Sequence, residues 1–188
     1  MQGRPLEEAK KCACMIVNSL QSTDRVSVIA YDNRAEVIVP STKVYNASQI
    51  TNAIGTISCQ GMTDLHAGWL LGAEEVARYR TERSINRVLL LSDGNANVGL
   101  TDVSELKNQC SRLAETNITT STYGLGGSFN EELMVNFHFV LKEVSFRFLV
   151  IQSESGNPLN AMLNVGLLRA VMFMVIGGVS IALMQAAV

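Results

Sequence analysis

Two short stretches carry the oxygen donors from which a binding site can be built. CQGMTDLHAG, Cys59 to Gly68, places Thr63 and Asp64 just after Gly61, which frees the backbone. RVLLLSDGNANVG, Arg87 to Gly99, ends an unbroken apolar run in Ser92, Asp93 and Gly94. A neutral hydroxyl and a carboxylate are hard donors of the kind that suits Mg2+ rather than zinc. Thr63 and Asp93 are therefore the candidate metal ligands, although two groups from two loops make at best a weak site. Each also has a plainer reading. Thr63 or Asp64 caps the helix that follows, and Asp93 forms an Asx turn with Gly94.

The elements that must position these residues follow from pattern and punctuation. Pro5 suits the first turn of a helix, with Glu7 and Glu8 at its positive end and an apolar face from Ala9 towards Leu20. RVSVIAYD, Arg25 to Asp32, and AEVIVP, Ala35 to Pro40, read as strands joined by a tight turn, hence a hairpin. Asn46 to Ile57 reads as a short amphipathic helix, and LHAGWLLGAEEVARYRTER as a longer one with a charged end. RVLLLS shows no polar alternation, which marks a central parallel strand covered on both faces. TDVSELKNQCSRLAE is a helix opened by Thr101 and Asp102, NITTSTYGLG a strand, and FNEELM the start of another helix. This alternation predicts an α/β fold with a parallel sheet. In such sheets ligands sit outside the carboxyl ends of the strands. Asp93 is at such an end, and the Thr63 loop is the other segment that can reach it.

Composition narrows the function. The chain has 188 residues, 47% apolar and 17% charged, with a net charge of −2. With no basic cluster, nucleic acid is a poor partner, because phosphate binding needs a positive patch. Cys12, Cys14, Cys59 and Cys110 include no C-x-x-C pair and read as small core or boundary residues. His66 and His138 lie too far apart for a zinc site, and His66 is expected to pack on a helix start. Trp69 and Tyr79 fall at helical positions and read as core and boundary residues. No nucleophile elbow, P-loop or H-E-x-x-H motif occurs, and Gly124 to Ser128 reads as a turn. Ala170 to Val188 contains no charge, a length that can span a bilayer as a helix. The tail is therefore expected to be an apolar helix, membrane-spanning or buried.

Taken together, GMTDLHAGWLLGAEEVAR, NRVLLLSDGNANVGLTD and TSTYGLGGSFNEELM resemble the von Willebrand factor type A (VWA) domain in its bacterial form, over about Gly3 to Met134. The resemblance implies a Rossmann-like sheet with helices on both faces. It also implies a metal-ion-dependent adhesion site built from a D-x-S-x-S loop after the first strand, a threonine and an aspartate. Carried across, the threonine is Thr63 and the aspartate Asp93, which in this family often acts through a bound water. The family's D-x-S-x-S loop immediately precedes a segment like MQGRPLEEAKK, so the chain is expected to start inside that motif. The first central strand is then expected to be missing: its neighbours close up, another segment fills the gap, or the fold is unstable. After FNEELM the glycines of the family pattern are absent, although SFRFLVIQS still fits a last strand.

The expected organisation is a VWA-like domain over residues 1–152, a linker over 153–160 and an apolar tail over 161–188. The function implied by the resemblance is a non-enzymatic protein-binding module, in which an acidic side chain of the partner completes the coordination of Mg2+. Metal affinity is expected to be weak or nil. Two other readings stay open: a Mg2+-dependent hydrolase or phosphoryl-transfer enzyme at the same sheet edge, and a scaffold with a vestigial metal site. Localisation is open, with membrane anchoring through the tail as one outcome.

Overall fold

The computed structural model describes residues 3–58, 63–82, 84–92, 99–100, 102–125, 150–151, 174–176 and 179–185, the strands after residue 121 by their backbone. The elements are α1 (Arg4–Ser19), β1 (Arg25–Tyr31), β2 (Ala35–Lys43), α2 (Ala47–Gly55), α3 (Leu65–Ala77), β3 (Ile85–Ser92), α4 (Val103–Glu115), β4 (Thr119–Leu125), β5 (Val150–Ile151), β6 (Met174–Ile176) and β7 (Val179–Gln185). The helices α2, α3 and α4 start where the sequence offers caps. Asn46, Asp64 and Asp102 each accept a hydrogen bond from the backbone N–H three residues on, at 3.2, 2.9 and 2.8 Å. Each satisfies one of the orphan donors of a helix start.

The strands form one sheet in the order β2-β1-β7-β3-β4-β5, with β6 paired to β7. The expected hairpin is present, with β1 and β2 antiparallel. β3 pairs parallel with β4, and β4 with β5. β1 and β3 both run antiparallel to β7, so they point the same way as each other. Successive side chains of a strand face opposite sides. The consecutive buried runs Val26–Ile29 and Val88–Ser92 therefore require cover on both faces of the sheet. Trp69 and Ala73 of α3, Ile16 and Val17 of α1, and Ile54 of α2 contribute to the same core as these strands.

The tail departs from expectation. Instead of an apolar helix over 161–188, residues 174–176 and 179–185 are strands. No helix among the described residues is long and apolar enough to cross a membrane. β7 fills the position between β1 and β3, where the resemblance left a gap: Ser27 and Val88 both pair with Ala182, and Val28 and Leu89 both pair with Ile181. A middle strand buries both of its edges as well as both faces, which an uncharged segment tolerates and a charged one does not. The physical reason the helix expectation failed is that an uninterrupted apolar run carries no period. SFRFLVIQS contributes Val150–Ile151 as β5, while FNEELM and the linker over 153–160 lie outside the described residues.

Candidate functional site at the carboxyl edge of the sheet

β1 and β3 deliver their carboxyl ends to one edge, and three segments meet there. β1 ends at Tyr31, and the carbonyl of the next residue, Asp32, accepts from the Asp64 backbone N–H at 2.6 Å. That bond fastens the Thr63–Asp64 loop to the tip of β1. Thr63 itself is buried. Asp32 stabilises its own turn, its carboxylate accepting from the Arg34 N–H at 3.1 Å. β3 ends at the fully buried Ser92, which pairs with Gly124 of β4.

The helix that follows Thr63 is seated by complementary shapes. Gly68, in the first turns of α3, lies so close to Tyr31 that a Cβ there would stand 2.5 Å from the Tyr31 ring. The Tyr31 hydroxyl in turn donates to the Leu91 carbonyl at 3.1 Å, tying the tips of β1 and β3 together. The Asp64 carboxylate caps α3 through the Ala67 N–H and lies against Gly99. Gly99 has φ +82°, a left-handed conformation in which a side chain is strained.

Of the two residues singled out from the sequence, Thr63 is placed at this edge. Asp93 lies outside the described residues; the nearest described residues in sequence are Ser92 at the end of β3 and Gly99 against Asp64. His66 is engaged elsewhere: its Nε2 is 2.7 Å from Gln109 Oε1, linking α3 to α4, and its ring is tilted against Trp69. It packs on the helix start as expected, and His138 lies outside the described residues. Trp69 is fully buried and Tyr79 is exposed at the boundary. The sequence reading passed over two partners of this edge, Asp32 and Gly99. Gly99 carried a visible signal, a glycine three residues before the helix cap Asp102.

Among the described residues no group of three His, Cys, Asp or Glu side chains converges as a metal cage. The carboxylates of this edge already have partners in the fold: Asp64 accepts from the Ala67 N–H and Asp32 from the Arg34 N–H.

A family model for the von Willebrand factor type A domain matches residues 1–147. The chain belongs to the von Willebrand factor type A domain family, a family commonly used for protein–protein interaction. It is 31% identical over 138 residues to the uncharacterized protein sll0103 of Synechocystis, covering 71% of this chain and 31% of that one. The chain thus spans less than a third of that relative. Its fold is similar to a von Willebrand factor type A structure from Catenulispora acidiphila, with TM-score 0.68, 16% identity and coverage of 86% of this chain and 37% of the other. Proximal thread matrix protein 1 of the mussel byssus, in a structure with a zinc-occupied MIDAS motif, superposes with TM-score 0.63 at 14% identity, over 87% of this chain and 42% of that one.

Proposed function

We propose that this domain binds a protein partner at the carboxyl edge of the sheet, with a divalent cation, Mg2+, held between Thr63 and Asp93. The observation that supports the reading is convergence. The Asp64–Asp32 bond brings the Thr63 loop to the tip of β1, and Gly99, six residues after Asp93, lies against the Asp64 carboxylate. Thr63 would supply its hydroxyl oxygen and Asp93 its carboxylate, directly or through water. The ion would offer a vacant coordination position for an acidic side chain of the partner. Burial of Thr63 favours such a contact, since charge–charge attraction strengthens as water is excluded. The chain's own part is to hold the two donors at a fixed separation and to keep the edge partly dry.

The test is thermal melting of the full chain in millimolar Mg2+ and in EDTA, for the wild type, Thr63→Ala and Asp93→Ala. A ligand of the native state raises its melting temperature. The reading requires a Mg2+-dependent rise that either substitution removes, and a wild type that melts identically in both buffers refutes it. A second reading is a scaffold with a vestigial metal site, whose partner binds equally well in chelator. Partner capture that persists in EDTA and survives both substitutions supports that scaffold.

A further inference from the structure

We propose that the groove between β2 and α2 is a second docking site, for a segment of a partner protein that carries a large apolar side chain close to a carboxylate. The site stands apart from the sheet edge described above and needs no metal. The groove has a volume of about 360 Å³, within the range of sites that hold ligand groups. Ile38, Ile50 and Ala53 give it apolar walls, and the exposed Lys43, Tyr45 and Gln49 line it as well. Its makeup is that of a protein-binding patch, poor in charge and marked by tyrosine. α2 has no charged residue from Ala47 to Gly55, and β2 has none between Glu36 and Lys43. Tyr45 is 75% exposed, yet the chain on either side of it is anchored. The Val44 N–H donates to the Asp24 carbonyl at 3.1 Å, the Tyr45 N–H to the Lys43 carbonyl at 2.9 Å, and Asn46 caps α2. A surface held in place before binding loses little conformational freedom when a partner arrives.

Charge decides what the segment must carry. Among the described residues that line the groove, Lys43 is the one with a charge. Its ammonium lies 5.9 Å from the centre of the Tyr45 ring, and among the described residues no carboxylate pairs with it. A cation in neutral surroundings is matched by a carboxylate from outside, which also excludes partners that bring a like charge. β2 is the outermost strand of the sheet, but over Pro40 and Ser41 it offers no free N–H. Proline has none, and that of Ser41 is taken by Glu75. The segment is therefore recognised there by its side chains and not as an added strand.

The probe is a library of blocked hexapeptides with Leu and Asp two residues apart, beside the same peptides with Asn or Lys in place of Asp. Binding to the full chain is read by fluorescence polarisation in EDTA, so that the result does not depend on the metal reading. Asp peptides should bind wild type about five-fold more tightly than Asn peptides, and Lys peptides should bind most weakly. Lys43→Glu should invert that order, with Lys peptides now bound best. Tyr45→Ala should weaken the Asp peptides about ten-fold while leaving the order as it is. Both positions are exposed, so the melting temperatures of these variants should match wild type. Lys11→Glu reverses the same charge on α1, at a side chain 66% exposed, and should bind as wild type does. Failure of wild type to bind any of the Asp peptides overturns the proposal. So does a Lys43→Glu variant that keeps the wild-type order, or a Lys11→Glu variant that inverts it, since net charge and not the groove would then decide binding.

Discussion

The carboxylate of Glu75, in the last turn of α3, accepts from the backbone N–H of Ser41 on β2 at 2.9 Å. The bond answers a local irregularity of the sheet. Between the pairs Val26–Thr42 and Val28–Val39, Ser27 faces both Pro40 and Ser41, so β2 bulges and loses regular ladder bonds. Side chains take their place: Glu75 satisfies the Ser41 N–H, and the Arg25 guanidinium donates to the Ser41 carbonyl at 3.1 Å. Arg25 also stacks 4.0 Å over the Tyr79 ring. The other oxygen of Glu75 meets the exposed Arg78 at 2.8 Å, a pair that contributes little by itself. Glu75→Ala should therefore destabilise the domain by about 2 kcal/mol, since the lost bond involves a buried charged acceptor. Glu75→Gln, which keeps an acceptor for Ser41, should cost about 1 kcal/mol or less. Urea unfolding of the two variants beside wild type measures the difference.

A second fastening joins α3 to β4. The Trp69 indole N–H donates to the Thr120 hydroxyl at 3.0 Å, both residues being buried. Thr120→Val keeps the shape and removes the acceptor, and should cost about 1–2 kcal/mol in the same assay. Thr120→Ser should cost less, because the hydroxyl remains. Equal stability of Val and Ser at this position would show that the bond contributes nothing net.

Burial pushes the Asp24 carboxyl above the ordinary carboxylate range, against the opposing hydrogen bond from the Gln21 N–H. One of its oxygens, Oδ1, is buried with no hydrogen-bond partner among the described residues. A carboxyl with a raised folded-state pKa binds its proton more tightly in the native state, so its ionisation weakens the fold. Its effect is absent below the unfolded value, about 3.9, and grows as pH rises through the folded value. Asp24→Asn should remove this slope and be the more stable form at pH 7, the gap closing in acid. Melting temperatures of both proteins from about pH 4 to pH 7 read the sign directly.

Burial, with a smaller contribution from Glu8, pushes the Cys12 thiol up to about 11. Burial also raises Cys14, whose Sγ lies 3.9 Å from the Thr51 carbonyl. At pH 8 the Cys12 thiolate fraction should then be about one in a thousand, and the thiolate is the reactive form. Native protein treated with a maleimide should label Cys14 before Cys12, and unfolded protein should label both at once. Mass spectrometry of the peptides gives the order, and rapid native labelling of Cys12 would contradict its burial.

Much of this architecture was legible because local chemistry and tertiary role agree. Pro5 opens α1, while Asn46 caps α2 and Asp102 caps α4, each of these two both marking its helix start and satisfying a backbone N–H there. Val88 to Leu91 read as a middle strand because they lack polar alternation, and both of their faces are covered. The hairpin of β1 and β2 followed from its tight turn, but its bulge did not, because the bonds that support it come from Glu75 and Arg25, far apart in sequence. For the site, Thr63 and its loop were readable from the glycine and cap residues around them. Asp32 was not, since its contribution is a backbone carbonyl that any residue supplies. The tail was misread for a similar reason: its partners in β1 and β3 are more than 90 residues away in the chain.

The place of β7 also sets an order of events during synthesis. β1 and β3 leave the ribosome long before residues 179–185, yet these residues are what lies between them. Until then the two strands present inward edges with unpaired amides and carbonyls, the kind of surface that recruits other chains. Pairings so distant in sequence form slowly, because the intervening loop must close first. The nascent chain therefore passes through a long interval in which its most apolar strands are exposed, and its yield in a cell depends on how well that interval is chaperoned.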